Sequence, residues 1–343
     1  MAPDPRDLDE SDDSTTGRTA EPRSTENTRI RMLRTVFGET APGFDISLGD
    51  DCAVLAPVDS RIVWSIDTAV EGVHFRRDLM SLEDAGYRAT MAALSDLAAM
   101  GAAPLGLVSA LVLPADLTDT DLLAIARGQR DAARTLGTSV VGGNLARGDA
   151  ISITSSVLGH AERPLYRRGA QIGDDVYIAG ALGFAAVGLR LANSPRTGHL
   201  SPADASLVGQ ALQAYRRPYA RIDDGRYLAR AGATAMIDVS DGLATDATHI
   251  ADESNITIVL EEAHVLAATS TRLCALAQRD ALEVILTGGD DYALLATAPR
   301  DAALPGDRFL RIGRCAPRGS HPLLLQTARD IKPIAAAGFD HFG

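Results

Sequence analysis

The sequence contains one lysine, Lys332, and every other one of its 33 basic residues is arginine. The P-loop of nucleotide-binding proteins and the ATP site of protein kinases each place a lysine beside the phosphates. No Walker-type glycine–lysine motif occurs in the chain. These two kinds of phosphate site are therefore excluded, and any bound phosphate must be met by metal ions, arginines and backbone N–H groups.

Cysteine and aromatic residues are also scarce. The three cysteines, Cys52, Cys274 and Cys315, are far apart, so we expect buried thiols in a reducing compartment rather than disulfides or a zinc site. Phe, Tyr and Trp make up only 4% of a chain that is 46% hydrophobic. The core must therefore consist mainly of Ala, Val, Leu and Ile.

Long apolar runs are absent as well. No stretch of about 18 apolar residues occurs, which argues against a transmembrane helix, and the first thirty residues lack the apolar segment of a signal peptide. We therefore expect a cytoplasmic protein with no membrane partner. The net charge of −12 argues against nucleic acid as a main partner.

The length of 343 residues favours two domains, at about 150 residues each. Residues 1–28 are acidic, rich in Ser, Thr and Pro, and nearly free of large apolar side chains, which predicts a disordered acidic tail. We place the N-terminal domain at 29–160 and the C-terminal domain at 161–343, with the boundary near Glu162.

Apolar periodicity and capping residues predict several elements. Ser81 and Asp84 have the spacing of a capping box at the start of a helix, and Thr118 caps another. Helices are predicted over 29–37, 81–97, 118–136, 184–191, 222–231 and 269–278, and strands over 62–68, 105–113, 151–158, 175–180, 256–260 and 293–297. Residues 193–206 are predicted to form a loop.

The stretch from Ile237 to Leu243 contains the most informative motif. An apolar strand leads into Asp238, Ser240 and Asp241, followed by a glycine and a helical pattern. If Ser240 caps the helix, the two carboxylates flank its N-terminus, where N–H groups and the helix dipole favour negative charge. This arrangement suits Mg²⁺ together with phosphate. Taken alone, the motif is more simply explained as a capped helix start with acidic residues in its first turn.

Similar acidic motifs occur at other strand and helix ends. Asp51 follows a glycine before an apolar strand, Ser65 and Asp67 share one face of a strand, and Asp96 lies near the C-terminal end of a helix. Turns, or an arginine beside Asp96, are the simpler explanations. If the carboxylates converge, each pair at ~4 Å repels by about 4 kcal/mol at an effective dielectric constant of 20, which divalent cations would offset. The set favours phosphoryl transfer.

Taken together, eight stretches resemble the thiamine-monophosphate kinase family. They are GDDCAVL, SIDTAVEGVHF, LSDLAAMGA, VVGGNLARG, LYRRGAQIGDDVY, IDVSDGL, TGGDDYAL and GFDHF, spread over residues 29–343. The resemblance implies a two-domain α+β fold, with an N-terminal α/β domain that forms a dimeric β-barrel core and a C-terminal α+β domain. It implies ATP-dependent, in-line phosphorylation of thiamine monophosphate to thiamine diphosphate, several Mg²⁺ ions and a homodimer.

The resemblance also assigns site residues by position. The implied metal ligands are Asp51, Ser65, Ile66 through its carbonyl, Asp67, Asp96, Asn144, Asp238 and Asp241. The implied ATP contacts are Gly143, Asn144, Arg167 and Ser240. The implied contacts to thiamine monophosphate are His74, Asp290 and Phe339. From its sequence context alone, His74 is more simply explained as a structural histidine. No catalytic side chain is implied beyond the metal cluster.

Two departures from the family pattern bear on these assignments. The family usually has Asp at the position of Asn144, and the amide keeps an oxygen ligand but removes a negative charge. It usually has Glu at the position of Asp290, which shortens the reach toward the substrate by one methylene.

Three alternatives to this interpretation are two other enzymes of the superfamily that the resemblance implies and one inactive protein. A selenophosphate synthetase would need a reactive cysteine near the N-terminus, and a hydrogenase maturation dehydratase would need a C-terminal cysteine; the chain shows neither. Asn144 favours the third alternative, a catalytically inactive nucleotide-binding dimer.

Overall fold

The computed structural model describes residues 26–38, 40–46, 53–194 and 200–335. The helices are α1 (Glu26–Phe37), α2 (Leu82–Ala99), α3 (Asp119–Thr135), α4 (Phe184–Asn193), α5 (Pro202–Arg216), α6 (Ile222–Arg230), α7 (Leu243–Glu253), α8 (Glu262–Leu266), α9 (Thr271–Leu276) and α10 (Ala281–Thr287). The strands are β1 (Phe44–Ile46), β2 (Val54–Leu55), β3 (Arg61–Val70), β4 (Ala103–Leu113), β5 (Val140–Arg147), β6 (Ser152–Ala161), β7 (Asp175–Ala179), β8 (Ala235–Val239), β9 (Ile256–Glu261), β10 (Ala293–Ala298), β11 (Leu310–Pro317), β12 (Leu323–Gln326) and β13 (Ile331–Pro333).

The first large sheet has four strands in the order β3-β6-β4-β5. β6 is antiparallel to both β3 and β4, and β4 is parallel to β5. One face packs against α2, which in turn packs against α3. The other face is apolar and open: Trp64 is 76% exposed and Ile66 is 67% exposed. Within the described residues this sheet does not close into a barrel.

The second large sheet has seven strands in the order β13-β12-β9-β11-β7-β10-β8. All its pairs are antiparallel except β12 with β9. α7 buries one face of the sheet, where Leu243 and Ile250 join Ile237 in one apolar cluster. The sheet therefore has a core of its own on that side.

α2 lies between the two sheets. Its residues Leu94 and Leu97 belong to one buried cluster with Val157 of the first sheet and with Met236 and Leu294 of the second. The helix is buried over most of its length because both of its sides face apolar strands. The two sheets are thus held in place by a shared helix.

Glycines allow the helices around α2 to approach closely. A Cβ at Gly86 would clash with the backbone of Ile125 on α3, and one at Gly225 on α6 would clash with the backbone of Ala98. Close backbone contact compensates for the small apolar side chains of this layer. The expected Ala-rich, aromatic-poor core is found here.

The structure confirms the predicted helix caps at Ser81 and Thr118, which depend only on residues close in sequence. The Ser81 side chain accepts a hydrogen bond from Asp84 N at 3.1 Å, and Thr118 and Asp121 form a complete capping box. The loop predicted over 193–206 is wrong in its second half, because Ser201 caps α5 there. β12, β13, α8 and α10 are not predicted from the sequence. None of the described helices combines the length and apolar character needed to cross a bilayer.

Candidate active site

Ser65 and Asp67 lie on the face of β3 that looks toward α2. The Ser65 hydroxyl donates a hydrogen bond of 2.5 Å to Oδ2 of Asp96, which lies in the last turn of α2. Burial raises the pKa of Asp96; the Ser65 hydrogen bond opposes this, the Asp67 charge adds to it, and Arg167 lowers it. The alternation of side chains along a strand predicts that Ser65 and Asp67 share one face of β3. Both residues lie near Asp96, which agrees with that prediction.

Asp238, at the end of β8, reaches the same place from the second sheet. The hydroxyl of Ser95 donates to Oδ2 of Asp238 at 2.6 Å, and Asp238 is only 7% exposed. Burial and then the nearby Asp96 charge raise the pKa of Asp238 to about 6, against the Ser95 hydrogen bond and Arg167. Ser95 and Asp96 are consecutive in α2, so one helical turn joins the acidic ends of both sheets.

The turn after β8 is shaped by Asp246 rather than by Ser240. The predicted capping role of Ser240 is wrong: Gly242 is the N-cap of α7, with φ of +115°, and no side-chain bond caps the helix. Instead the backbone N–H groups of Ser240 and Asp241 donate to Oδ2 of Asp246 at 3.1 and 3.2 Å. Burial, then Asp238 and Asp241, raise the pKa of Asp246 to about 8. Asp246 thus fixes the backbone that presents Asp241.

The loop around Asp290 packs on this turn. Asp290 N donates to the Ser240 carbonyl at 2.8 Å, and Tyr292 N donates to the Val239 carbonyl at 2.9 Å. A Cβ at Gly289 would clash with the Ser240 carbonyl, which explains the glycine. Asp290 has a positive φ of 68°, and its carboxylate forms an ion pair with Arg88.

The neighbouring Asp291 faces the other way. Its carboxylate accepts hydrogen bonds from Gly183 N at 2.5 Å and Ala185 N at 3.1 Å, at the start of α4. Burial raises the pKa of Asp291 to about 7 in spite of these two donors. A strand–glycine–helix step of this kind can bind phosphate through its free N–H groups, but here an internal carboxylate occupies two of them.

Other predicted residues lie apart from this cluster. Gly143 pairs with Ser109, Ser109 with Ser155 and Ser155 with Asp67, so Gly143 is three strand spacings from Asp67, or roughly 14 Å. The two glycines before Asn144 lie inside β5 and not in a turn. Asn144 is exposed on the open face of the sheet.

The open face also carries Ile66, whose side chain is 67% exposed. His74 follows β3, and its Nδ1 accepts a hydrogen bond from Val70 N at 3.0 Å. This contact fits a structural role for the ring. The predicted residues Asp51 and Phe339 lie outside the described part of the chain.

The chemistry of the cluster fits magnesium. Mg²⁺ binds through hard oxygen ligands and is usually held by one or two carboxylates, with waters and phosphate oxygens completing its shell. Asp67, Asp96 and Asp238 supply such oxygens, and Arg167 is the cation whose charge acts on the last two. Among the described residues no group of three or more His, Cys, Asp or Glu side chains is arranged to hold a metal ion.

Comparison with known proteins decides the family. The family model described as AIR synthase related protein, N-terminal domain, matches residues 49–161. The thiamine-monophosphate kinase of Aquifex aeolicus is 33% identical over 296 residues, covering 86% of this chain and 92% of that protein. The Escherichia coli K12 protein of the same name is 34% identical over 311 residues, covering 87% and 92%. The chain belongs to the thiamine-monophosphate kinase family.

Solved structures agree with this family. The Stenotrophomonas maltophilia K279a thiamine-monophosphate kinase has a TM-score of 0.73 at 32% identity, over 88% of this chain and 95% of that one. AaThiL complexed with AMPPCP and TMP has a TM-score of 0.72 at 28% identity, over 92% and 97%. Hydrogenase maturation protein HypE shares the fold alone, at 19% identity and a TM-score of 0.66. The mixed α and β fold and the expected enzyme class, a kinase, are thereby confirmed.

Proposed function

We propose that the chain transfers the terminal phosphoryl group of ATP to thiamine monophosphate and releases thiamine diphosphate and ADP. One observation carries the proposal: α2 brings Asp96 beside Ser65 and Asp67 of one sheet and, through Ser95, beside Asp238 of the other. One buried and two half-buried carboxylates at one place, in a chain with a single lysine, suit phosphates held through metal ions. The relatives named thiamine-monophosphate kinase, and the AaThiL complex with an ATP analogue and TMP, support the choice of substrates.

The reaction we propose is a direct in-line transfer. An oxygen of the thiamine phosphate attacks the γ-phosphorus of ATP, the bond from that phosphorus to the β,γ-bridging oxygen breaks, and ADP leaves with this oxygen. A phosphate monoester is already largely ionised near neutral pH, because its second pKa is about 6. The chain therefore needs no general base, and its residues act by positioning and by charge.

We assign the predicted site residues to three roles. Asp51, Ser65, Ile66 through its carbonyl, Asp67, Asp96, Asn144, Asp238 and Asp241 would hold several Mg²⁺ ions. Bound magnesium would neutralise the charge that the triphosphate shares with these carboxylates, as metal ions do in phosphoryl transfer. Gly143, Asn144, Arg167 and Ser240 would contact ATP, and His74, Asp290 and Phe339 would contact the thiamine phosphate.

The separation of Asn144 from Asp67 leads us to propose a homodimer. β3 and β5 are the two edge strands of the four-stranded sheet, and the apolar face between them is open. Two such faces packed together would form a shared barrel, and one protomer's β5 would then lie beside its partner's β3. In that arrangement Gly143 and Asn144 would complete the partner's site. We also propose a domain division near residue 161, where the first large sheet ends.

The test is a coupled assay of ADP release with ATP, Mg²⁺ and thiamine monophosphate, with thiamine diphosphate identified by chromatography. We expect turnover that needs all three components. ATP binding without turnover would contradict the proposal and would favour the inactive nucleotide-binding dimer, the alternative that Asn144 suggests. Turnover with a different phosphorylated acceptor, and none with thiamine monophosphate, would favour another enzyme of the same superfamily.

A further inference from the structure

Arg88 is a buried arginine that the sequence patterns do not single out. It lies in the middle of α2 and is only 4% exposed. Its Nη1 donates to the Tyr215 carbonyl at 2.5 Å, its guanidinium carbon lies 5.0 Å from the centroid of the Tyr215 ring, and its Nη2 lies 2.6 Å from Oδ2 of Asp290. A buried charge is tolerated only when it is paired and hydrogen-bonded. All three contacts therefore hold this guanidinium in one orientation.

Asp290 is constrained from its other side as well. Its Oδ1 accepts a hydrogen bond from the Tyr292 hydroxyl at 3.1 Å. Its backbone is in the left-handed region, with φ of +68°, and its N–H is bound to the Ser240 carbonyl. Even so, the Asp290 side chain is 41% exposed, while that of Arg88 is 5% exposed. The carboxylate is thus held by Arg88 and Tyr292 on its protein side and exposed to solvent on its other side.

The open side of this carboxylate can accept further hydrogen bonds. Each carboxylate oxygen has two lone-pair positions, and Arg88 and Tyr292 use one on each oxygen. Two acceptor positions remain for a ligand. Because Asp290 is one methylene shorter than glutamate, its reach depends more strongly on the two side chains that orient it.

We propose that Arg88 is a positioning residue that orients the Asp290 carboxylate toward a cationic, amino-bearing heteroaromatic group, as found in thiamine monophosphate. This inference rests on the proposed function, since it assigns a supporting residue to the substrate side of that site. Thiamine monophosphate carries a positively charged thiazolium ring and an aminopyrimidine, and an ionised carboxylate with two free acceptor positions suits both. Arg88 acts through Asp290 and does not touch the substrate.

A purely structural role predicts different kinetics. If Arg88 only joined α2 to α5 and to the loop around Asp290, its loss would lower the melting temperature and affect both substrates alike. A positioning role acts on one substrate, because Arg88 contacts Asp290 and none of the residues assigned to ATP.

The experiment compares Arg88→Met and Arg88→Lys with the parent chain in steady-state kinetics with each substrate varied. We expect Arg88→Met to raise KM for thiamine monophosphate by about 10- to 100-fold, since a shift of about 1 Å in a positioning group can cost that much. KM for ATP should stay unchanged. Lysine restores the charge but not the planar donor pair. The KM of Arg88→Lys for thiamine monophosphate should therefore lie between those of the parent and of Arg88→Met. The double variant Asp290→Asn with Arg88→Met should raise KM for thiamine monophosphate no more than Asp290→Asn alone, because both substitutions act on one contact.

Arg217→Met is the matched control. Arg217 also joins a later segment to α2, with ion pairs of 2.6 Å to Asp84 and 2.9 Å to Glu83 and with its guanidinium 5.1 Å from the Tyr87 ring. Its loss should lower the melting temperature and leave both KM values unchanged.

Equal changes in both KM values for the Arg88 variants, or a change in melting temperature alone, would overturn the inference. If Arg88→Met does not fold, Arg88→Lys and Asp290→Asn carry the test. If the parent chain shows no turnover with thiamine monophosphate, the proposed function fails. Calorimetric binding of thiamine monophosphate to the parent and to Arg88→Lys then still decides the role of Arg88: weaker binding to the variant supports it, and equal or absent binding rejects it.

Discussion

Replacing Asp291 by asparagine tests whether a buried carboxyl at the start of α4 controls the pH dependence of stability. The pKa of Asp291 is raised from 3.8 to about 7 in the folded protein, chiefly by burial. Below about pH 4 the group is protonated in both the folded and the unfolded chain. As the pH rises from there toward 7, the unfolded chain loses the proton and the folded protein keeps it. The free energy of unfolding therefore falls over this interval and levels off above pH 7.

The size of this effect follows from the shift. One pKa unit corresponds to about 1.36 kcal/mol, so the parent should lose about 3 kcal/mol of stability from this group between pH 5 and pH 8. Asparagine does not titrate in this way. It gives up one acceptor for an N–H of α4, at a cost of about 1–3 kcal/mol that does not vary with pH. The free energy of unfolding of the variant, relative to that of the parent, should thus increase by about 3 kcal/mol between pH 5 and pH 8.

Urea unfolding of both proteins at several pH values measures this difference. Asp280→Asn is the control, because Asp280 caps α10 through Glu283 N at 2.8 Å and is exposed. Asparagine caps a helix about as well as aspartate, so this variant should show the same fall in stability between pH 5 and pH 8 as the parent. A parallel pH dependence for the parent and for Asp291→Asn would refute the reasoning, because the buried carboxyl would then contribute nothing to it.

Three further predictions concern the metal cluster and the open sheet face. Asp238→Asn and Asp241→Asn should each lower kcat by at least about 10²-fold, as loss of one electrostatic group does in other active sites, with an unchanged circular dichroism spectrum; near-normal turnover in both would remove the central assignment. Asn144→Asp should lower the Mg²⁺ concentration for half-maximal rate, and an unchanged titration would argue against a metal there. Trp64→Arg should convert a dimer to monomers in light scattering, whereas Ile331→Arg, at an equally apolar but remote exposed position, should not; a Trp64→Arg dimer, or a monomeric parent chain, would reject the proposed interface.

The sequence predicts features whose cause is local. The capping hydroxyls of Ser81 and Thr118 sit where the pattern places them, because the bond each makes is to a backbone group three residues away. The period of a strand puts Ser65 and Asp67 on one face for the same reason. Ser240 meets the same criteria for a cap and does not act as one, because the carboxylate of Asp246 takes the N–H groups of that turn from inside the fold.

Local sequence patterns do not predict features that depend on packing between distant parts of the chain. Asp290 and Asp291 are adjacent in the sequence, yet the Asp290 carboxylate pairs with Arg88 and the Asp291 carboxylate accepts hydrogen bonds at the start of α4. These partners lie far away in the sequence, so a local pattern does not predict them. Arg88 belongs to a class of residue that usually lies on a solvated helix face. Its burial follows from the placement of α5 and of the loop around Asp290, neither of which is close in sequence.

The placement of α2 limits how this protein can move during a catalytic cycle. Consecutive residues of a helix point about 100° apart, so Ser95 and Asp96 tie a single rigid rod to two β layers at once. Opening the angle between the layers would have to break at least one of these two hydrogen bonds. Exchange of substrate and product through movement of surface segments alone would leave both hydrogen bonds intact.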